Sequence, residues 1–184
     1  MKKWKILEEK EIFPNKWFPI IQHKVKLSNG IIIDDYFISP LGNVVIILPF
    51  TKNNEIVLVK QYKHALGKIL IELPAGFQHR NKSLEESAII ELEEETGIRT
   101  TKSNLISLGK SANSPTKTTQ IVYGFLAKGL EFNSIQNTDE TEEIEIVKVA
   151  PTKAIKMVMD GDIWVGDSMV FILKAFYKYP KLFK

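Results

Sequence analysis

Three glutamates near the end of one predicted helix are the residues of this chain best placed to do chemistry. Glu91 and Glu95 are four residues apart, and Glu94 is three residues after Glu91, so a helix would place all three carboxylates on one face. Their mutual repulsion would be costly without a cation. Hard carboxylate oxygens favour magnesium or manganese. The alternative is an ordinary solvated helix face, because glutamate is a good helix former.

The boundaries of this helix follow from local signals. Ser83 and Glu86 have the spacing of a capping box, and Gly97 stands where helices usually end. These residues predict a helix over about 84–96.

The segment before the helix predicts a strand and a loop. Residues 69–73 are mainly apolar and end at Pro74, which is typical of a strand that stops there. Gly76 is expected to permit a turn that most residues cannot make. A strand, a glycine loop and a carboxylate helix in this order predict a cradle for phosphate and metal.

The segment 76–98 resembles the signature of the Nudix hydrolase family. Seven positions match it at the family's spacing, namely Gly76, Glu91, Leu92, Glu94, Glu95, Gly97 and Ile98. Two positions depart from it, because Lys82 stands in place of a glutamate and Ile90 in place of an arginine. In the family these two residues typically form a salt bridge that steadies the loop against the helix.

The resemblance implies a set of metal ligands. The family draws ligands from the positions of Glu91 and Glu95 and from the backbone carbonyl at the position of Ala75. We expect the ion to be Mg2+, with Mn2+ as the other candidate. Glu94 is assigned to the catalytic centre, although the arginine lost at position 90 would have faced it. Glu72, just before the loop, is expected to assist a second metal ion.

Further positions resemble the ADP-ribose pyrophosphatase branch of this family. Residues 57–64 and 72–76 follow the branch's Arg-Gln-Tyr-Arg strand and its Glu-Leu-Pro-Ala-Gly segment, with Lys60 and Lys63 in place of the two arginines. These lysines would meet a diphosphate as point charges, without the bidentate fork of arginine. The alternative for each is an ordinary surface lysine.

Two other segments are assigned to the substrate by the same resemblance. Ser114 and Pro115 match a Ser-Pro pair that the branch places over the terminal sugar, and the alternative is a simple turn before a strand. Trp17 would stack on adenine, since enzymes of this branch are usually dimers whose N-terminal segments cross to the partner's site. The alternative for Trp17 is an aromatic residue that fills a core or an interface.

The acidic run 139–145 resembles the loop from which these enzymes bring a further glutamate to the attacking water. We expect Glu140 or Glu142 to take the proton, because alternation along a strand would send both to one face, opposite Glu143. The alternative is a solvated acidic loop. The histidines at positions 23, 64 and 79 show no spacing of a metal site, so a surface or packing role is expected for each.

Composition fits a single soluble domain of this kind. The 184 residues, 44% of them hydrophobic, can bury one sizeable core. The lack of cysteine excludes thiolate zinc sites and suits a reducing compartment. The N-terminus lacks the apolar region of a signal peptide, and no apolar stretch reaches the length of a membrane span. We therefore expect a cytoplasmic protein that binds neither membrane nor, at a net charge of +3, nucleic acid.

The pattern of elements predicts an α+β protein. Residues 1–40 contain strand-like pieces around a Ser-Asn-Gly turn at 28–30 and are assigned to dimerisation. Residues 41–184 are assigned to the Nudix domain, a mixed sheet sandwiched between helices. Its remaining elements are expected as strands at 44–50, 56–59, 121–127 and 144–149 and as helices at 153–159 and 167–179.

The function implied by the resemblance is hydrolysis of the pyrophosphate bond of ADP-ribose, or of a related nucleoside diphosphate sugar, by a homodimer. With ADP-ribose the products would be AMP and ribose 5-phosphate. Two alternatives stay open. The substrate could be a nucleoside diphosphate hexose, such as an ADP- or GDP-sugar. With Lys82 and Ile90 interrupting the signature, the chain could also be a catalytically weak sensor that binds ADP-ribose, although no DNA-binding module accompanies it.

Overall fold

The computed structural model describes residues 2–184, and these divide into two compact units. The first unit comprises the chain up to Asn43 together with residues 112–121, and the second comprises residues 44–111 and 122–184. The predicted N-terminal region lies in the first unit. That unit also takes in residues 112–121, which were predicted to belong to the larger domain.

The first unit is built on a three-stranded antiparallel sheet. Its strands are β1 (Lys5–Phe13), β2 (Ile20–Lys26) and β3 (Ile32–Ile38), in that order across the sheet. The hairpin predicted around the Ser-Asn-Gly turn is confirmed as the β2–β3 pair. Strand β1 pairs with β2, and every one of its residues is exposed.

The second unit is built on a mixed sheet of seven strands. These are β4 (Val44–Thr51), β5 (Ile56–Lys63), β6 (Lys68–Glu72), β7 (Ala75–Phe77), β8 (Leu105–Ala112), β9 (Ile121–Leu130) and β10 (Ile144–Val149). The order is β10-β5-β4-β9-β8, while β6 pairs with β5 and β7 pairs with β4. Strands β4 and β9 are parallel, whereas β4 runs antiparallel to both β5 and β7.

Three helices cover the two faces of this sheet. They are α1 (Leu84–Thr96), α2 (Pro151–Asp160) and α3 (Gly166–Lys178). Side chains alternate along β4, so Val45 and Ile47 pack in a core with α1, while Ile46 and Leu48 pack in a second core with α2 and α3. The predicted sandwich of a mixed sheet between helices is therefore confirmed. Within residues 2–184, no helix has the length and apolar character needed to cross a membrane.

The predicted elements of the larger unit are present with small shifts at their ends. Helix α1 and strand β10 have the predicted bounds, and β4, β5 and β9 each extend beyond the predicted segment. Strands β7 and β8 were not predicted. Strand β7 lies where a glycine loop was expected, so the chain reaches α1 from a short strand that is hydrogen-bonded to β4.

Candidate active site

Helix α1 is fixed at both ends by the signals expected from the sequence. The Glu86 N–H donates to Ser83 Oγ (3.2 Å), and the Ser83 N–H donates to the Glu86 carboxylate (2.7 Å). This hydrogen bond, with help from Lys102, lowers the pKa of Glu86 to about 2. Gly97 ends the helix with a φ of 71°, which suits glycine. Because both ends are fixed, the direction of each glutamate on the helix is fixed as well.

Gly76 serves this site by its lack of a side chain. It lies within β7 and is not among the glycines with a left-handed φ, so the turn expected at this position is wrong. A Cβ built on Gly76 would lie 2.2 Å from the carboxyl carbon of Glu91. Glycine is therefore required because the Glu91 carboxyl group packs directly against the strand backbone.

Glu95 is buried beside this strand and Glu91 is half-buried. Burial raises the pKa of Glu95 to about 9, despite a hydrogen bond from the Ala75 N–H (3.0 Å) to its carboxylate. Burial also raises the pKa of Glu91 to about 7, opposed by His79 and increased by Glu94. Two neighbouring acids, one buried and one half-buried, that resist ionisation in the absence of a cation form a donor set suited to a divalent ion.

His79 joins this carboxylate cluster. Its Nε2 lies 3.0 Å from Glu91 Oε1, and ligand atoms of His79, Glu91 and Glu94 all lie within 4.8 Å of one another. The sequence predicted only a surface or packing role for His79, whereas the structure places its side chain against a carboxylate of the signature helix. Its position in the loop between Gly76 and the start of α1 was the signal in the sequence that could have identified it.

The loop before α1 is held by bonds other than the family's salt bridge. The His79 N–H donates to Ser87 Oγ (3.0 Å), and the Lys82 N–H donates to the His79 carbonyl (3.2 Å). The Gln78 side chain donates to the Lys82 carbonyl (3.0 Å). These hydrogen bonds connect the loop to α1. Lys82 and Ile90, which stand at the two changed positions of the signature, cannot form the family's glutamate–arginine salt bridge.

Glu72 lies close to the same cluster at the end of β6. It is buried, and its charge contributes to the raised pKa of Glu95. Lys63 Nζ lies 2.7 Å from Glu72 Oε1, and the Gln61 side chain donates to the same oxygen (2.8 Å). One of the two lysines considered for the diphosphate is therefore paired with a carboxylate beside the candidate site.

Lys60 lies on the other face of the sheet from Lys63. Side chains alternate along β5, and Lys60 forms an ion pair of 2.8 Å with Glu145 on β10. It lines a pocket of about 400 Å3 together with Tyr62 and Ile69. The structure of this unit therefore does not bring the two lysines together.

The acidic run adopts a turn rather than a strand. The Glu142 N–H donates to the Asp139 carbonyl (2.9 Å), and β10 begins only at Ile144. The strand alternation used to pair Glu140 with Glu142 is therefore wrong. The charge of Glu142 nevertheless raises the pKa of both Glu91 and Glu95, which puts Glu142 in electrostatic contact with the cluster.

Residues 40–164 match the family model described as the NUDIX domain. The chain belongs to the Nudix family. Residues 4–39 of this Nudix hydrolase match a second model, described as the nucleoside diphosphate sugar hydrolase N-terminal domain.

Two relatives match most of this Nudix hydrolase. It is 30% identical over 161 residues to the ADP-ribose pyrophosphatase of Bacillus subtilis (strain 168), covering 87% of this chain and 85% of the relative. It is 28% identical over 170 residues to the methanol dehydrogenase activator of Bacillus methanolicus, covering 91% and 90%. The predicted resemblance to the ADP-ribose pyrophosphatase branch is confirmed by the two domain models and the first of these relatives.

A solved structure shares the fold of this Nudix hydrolase. The crystal structure of an ADP compounds hydrolase aligns with a TM-score of 0.83 at 21% identity. The alignment covers 97% of this chain and 96% of the other. At this level of identity, the similarity establishes the Nudix fold of the chain.

The remaining predicted substrate residues of this Nudix hydrolase lie in the first unit. The Ser114 carbonyl accepts hydrogen bonds from the N–H groups of Lys117 and Thr118, so Ser114 and Pro115 begin a turn. Trp17 is 69% exposed, with Lys16 Nζ 4.4 Å from the centre of its ring. Their roles in sugar and adenine binding stay predictions.

Proposed function

We propose that this Nudix hydrolase cleaves the pyrophosphate bond of ADP-ribose or a related nucleoside diphosphate sugar, using a divalent cation. The observation that carries the proposal is the pair of carboxyls of the half-buried Glu91 and the buried Glu95, beside the backbone of Gly76 in the family's signature segment. The domain models and the Bacillus subtilis relative support the substrate class. With ADP-ribose, the products would be AMP and ribose 5-phosphate.

The donor set defines where the cation would be held. Glu91 and Glu95 would be carboxylate ligands, joined by the backbone carbonyl of Ala75, and Glu72 would serve a second ion. Magnesium and manganese both suit such oxygen donors. When bound, the ion supplies charge neutralisation at the diphosphate oxygens and lowers the pKa of the attacking water.

Two further glutamates would accept the proton of the attacking water and help to hold the cation. We assign proton transfer from the attacking water to Glu142, because its charge acts on the carboxyls of both Glu91 and Glu95. Glu140 stays the alternative from the same turn. Glu94 belongs to the cluster with Glu91 and His79, where its charge would help hold the cation in place.

Further residues would contact the diphosphate, the adenine and the terminal sugar of the substrate. Lys63 would orient the diphosphate from beside Glu72, whereas Lys60, on the other face of the sheet, is left out of this contact. Trp17 would stack on adenine. Ser114 and Pro115 would contact the terminal sugar through their turn.

We also propose a cytoplasmic homodimer that associates through the first unit. Large apolar side chains are exposed in this unit, including Ile6 at 52%, Phe13 at 54% and Phe18 at 52%. Apolar groups exposed in such number are typical of surfaces that a partner covers. Light scattering after size exclusion would test this, and a purely monomeric protein at micromolar concentration would contradict it. The absence of cysteine suits the reducing cytoplasm.

The deciding experiment is a panel of nucleotide sugars incubated with Mg2+ or Mn2+. Monophosphate products are detected as phosphate released by added phosphatase, with AMP and the sugar phosphate identified by chromatography. We expect the highest kcat/KM for ADP-ribose. Faster cleavage of ADP- or GDP-hexoses would transfer the assignment to a sugar pyrophosphatase. Binding of ADP-ribose without cleavage of any compound would favour the sensor.

A further inference from the structure

We propose that His79 is a metal ligand of this chain, which adds a nitrogen donor to the carboxylates and shifts the preference of the site from Mg2+ towards Mn2+ and Co2+. The inference rests on the proposed function, because the same site must hold a divalent ion. It goes further by naming the ion class that this chain selects and the residue responsible.

The positions of the donor atoms carry the inference. His79 Nε2 lies 3.0 Å from Glu91 Oε1, and one ligand atom from each of His79, Glu91 and Glu94 lies within 4.8 Å of the other two. Two ligands of one ion, each at a bond length of about 2.1 Å, lie roughly 3 to 4 Å apart. Small side-chain adjustments would therefore let one ion contact all three residues.

The backbone of His79 is held in place for this role. Its N–H donates to Ser87 Oγ (3.0 Å), and the Ser87 hydroxyl donates to the Ser83 carbonyl (2.9 Å). Ser87 is fully buried in α1, the helix that also carries Glu91 and Glu94. The three donors are consequently attached to one rigid element, which is the arrangement that favours tight metal binding.

The His79 side chain also remains accessible from solvent. It is 36% exposed, compared with 14% for the Glu91 side chain. An ion entering the cluster can therefore reach the imidazole without displacing the core.

Ion selectivity separates a ligand from a simple hydrogen-bond partner of Glu91. A histidine that only orients Glu91 would assist every divalent ion to a similar extent. An imidazole ligand would not, because Mg2+ strongly prefers oxygen donors, while Mn2+ and Co2+ also accept nitrogen.

The first test measures affinities for Mn2+ and Mg2+ in the whole protein without substrate. Free Mn2+ is followed by electron paramagnetic resonance, and Mg2+ by competition, in wild type, His79→Gln and the control His64→Gln. His64 is exposed in the same unit and lies outside the cluster. We expect His79→Gln to weaken Mn2+ binding at least about 10-fold, within the range known for altered metal surroundings, and to weaken Mg2+ binding by less than about 3-fold. Equal weakening for the two ions, or none, would overturn the proposal.

A second variant, with glutamate at position 79, keeps a metal-binding side chain there but replaces the nitrogen donor with oxygen. His79→Glu offers carboxylate oxygen instead of nitrogen, so the ratio of Mn2+ to Mg2+ affinity should fall while Mg2+ binding is retained. Thermal unfolding of each variant in chelator checks that the loop change leaves the fold intact. An unchanged affinity ratio in His79→Glu would contradict a nitrogen ligand.

Spectroscopy tests the bond directly. Electron spin echo modulation of the Mn2+-loaded wild type should show coupling to a coordinated imidazole nitrogen, which His79→Gln loses and His64→Gln keeps. Mn2+ bound without nitrogen coupling would overturn the role of His79 and leave the proposed hydrolase unaffected. If no divalent ion binds and no nucleotide sugar is cleaved, the proposed function itself fails.

Discussion

The carboxyl group of Glu91 occupies the space in which a side chain on Gly76 would begin. A Cβ at Gly76 would lie 2.2 to 2.3 Å from the three atoms of that carboxyl group. Strand β7 and helix α1 thus approach closely enough to bury an acid between them. This contact connects the glycine that opens the family's signature with the glutamate near its end.

Replacing Gly76 with alanine should therefore damage the site more than the fold. The added methyl group would displace the Glu91 carboxyl, so we expect turnover to fall by about two orders of magnitude or more. Glu91 ends in a flexible side chain that can move away, so the free energy of unfolding should change by no more than about 1 kcal/mol.

The matched control for this change is Gly166→Ala. A Cβ at Gly166 meets nothing within 4 Å, and its φ is not left-handed, so activity should be unchanged and stability equal or higher. Steady-state kinetics and chemical denaturation of both variants provide the comparison. Wild-type turnover in Gly76→Ala would show that the Glu91 position does not matter.

Substituting Glu91 or Glu95 with glutamine should remove one of the carboxylates that we propose as metal ligands. We expect turnover to fall by about two to four orders of magnitude, the scale for groups that stabilise charge in the transition state. Glu85→Gln, at the opposite end of the same helix, is the control and should keep activity. If both Glu91→Gln and Glu95→Gln hydrolyse a demonstrated substrate at the wild-type rate, the metal site lies elsewhere.

The acidic turn should contain one residue that matters for proton transfer. Glu142→Gln should lower kcat strongly while metal and substrate affinity are retained, because Glu142 acts electrostatically on Glu91 and Glu95 and would accept the proton only during reaction. Glu140→Gln and Glu143→Gln serve as neighbours in the same segment and should have much smaller effects. Equal, small losses in kcat for all three variants would leave the turn as a solvated connection.

The stability of the metal-free protein should fall as pH rises. The folded pKa values of Glu91, about 7, and Glu95, about 9, are raised above the ordinary value of 4.5. The folded state therefore binds protons more tightly than the unfolded state. Their contribution to stability is fully present below about pH 4.5 and is lost as pH rises through about 7 and then 9.

Thermal unfolding between pH 5 and 9 would measure this trend, with chelator in one series and Mn2+ in the other. In the proposed site the ion would bind the ionised carboxylates of the folded state, so the increase in Tm that it causes should grow with pH. Glu95→Gln in chelator should remove much of the decline. A metal-free Tm that is as pH-dependent in Glu95→Gln as in wild type would assign the decline to other groups.

The sequence by itself determined the features that depend on neighbouring residues. The capping box of Ser83 and Glu86 and the left-handed Gly97 define α1 through contacts within four residues, so its bounds could be read directly. The helical phase of Glu91, Glu94 and Glu95 follows from the same local geometry. The alternation of strands with helices similarly indicated the mixed sheet, and the resemblance of residues 76–98 to the family's signature implied the Nudix fold.

Strands with weak patterns were harder to predict. β1 reads KILEEKEIF and is exposed along its whole length, and β8 carries only one buried residue, Leu108. Neither burial nor strict alternation marks these segments as strands. Their hydrogen bonds come from neighbouring strands, a property of the sheet rather than of the segment.

Only the tertiary structure decided which distant groups share the site. The Ala75 N–H reaches Glu95 across 20 positions, and Glu142 acts on α1 from the turn before β10. Alternation along β5 places Lys60 and Lys63 on opposite faces of the sheet. The close approach of β7 to α1 explains why position 76 is a glycine. The packing also brings His79 to Glu91. The physical reason is that burial and electrostatic interaction depend on distance in space, which the packing of the sheet against α1 sets and the local sequence does not.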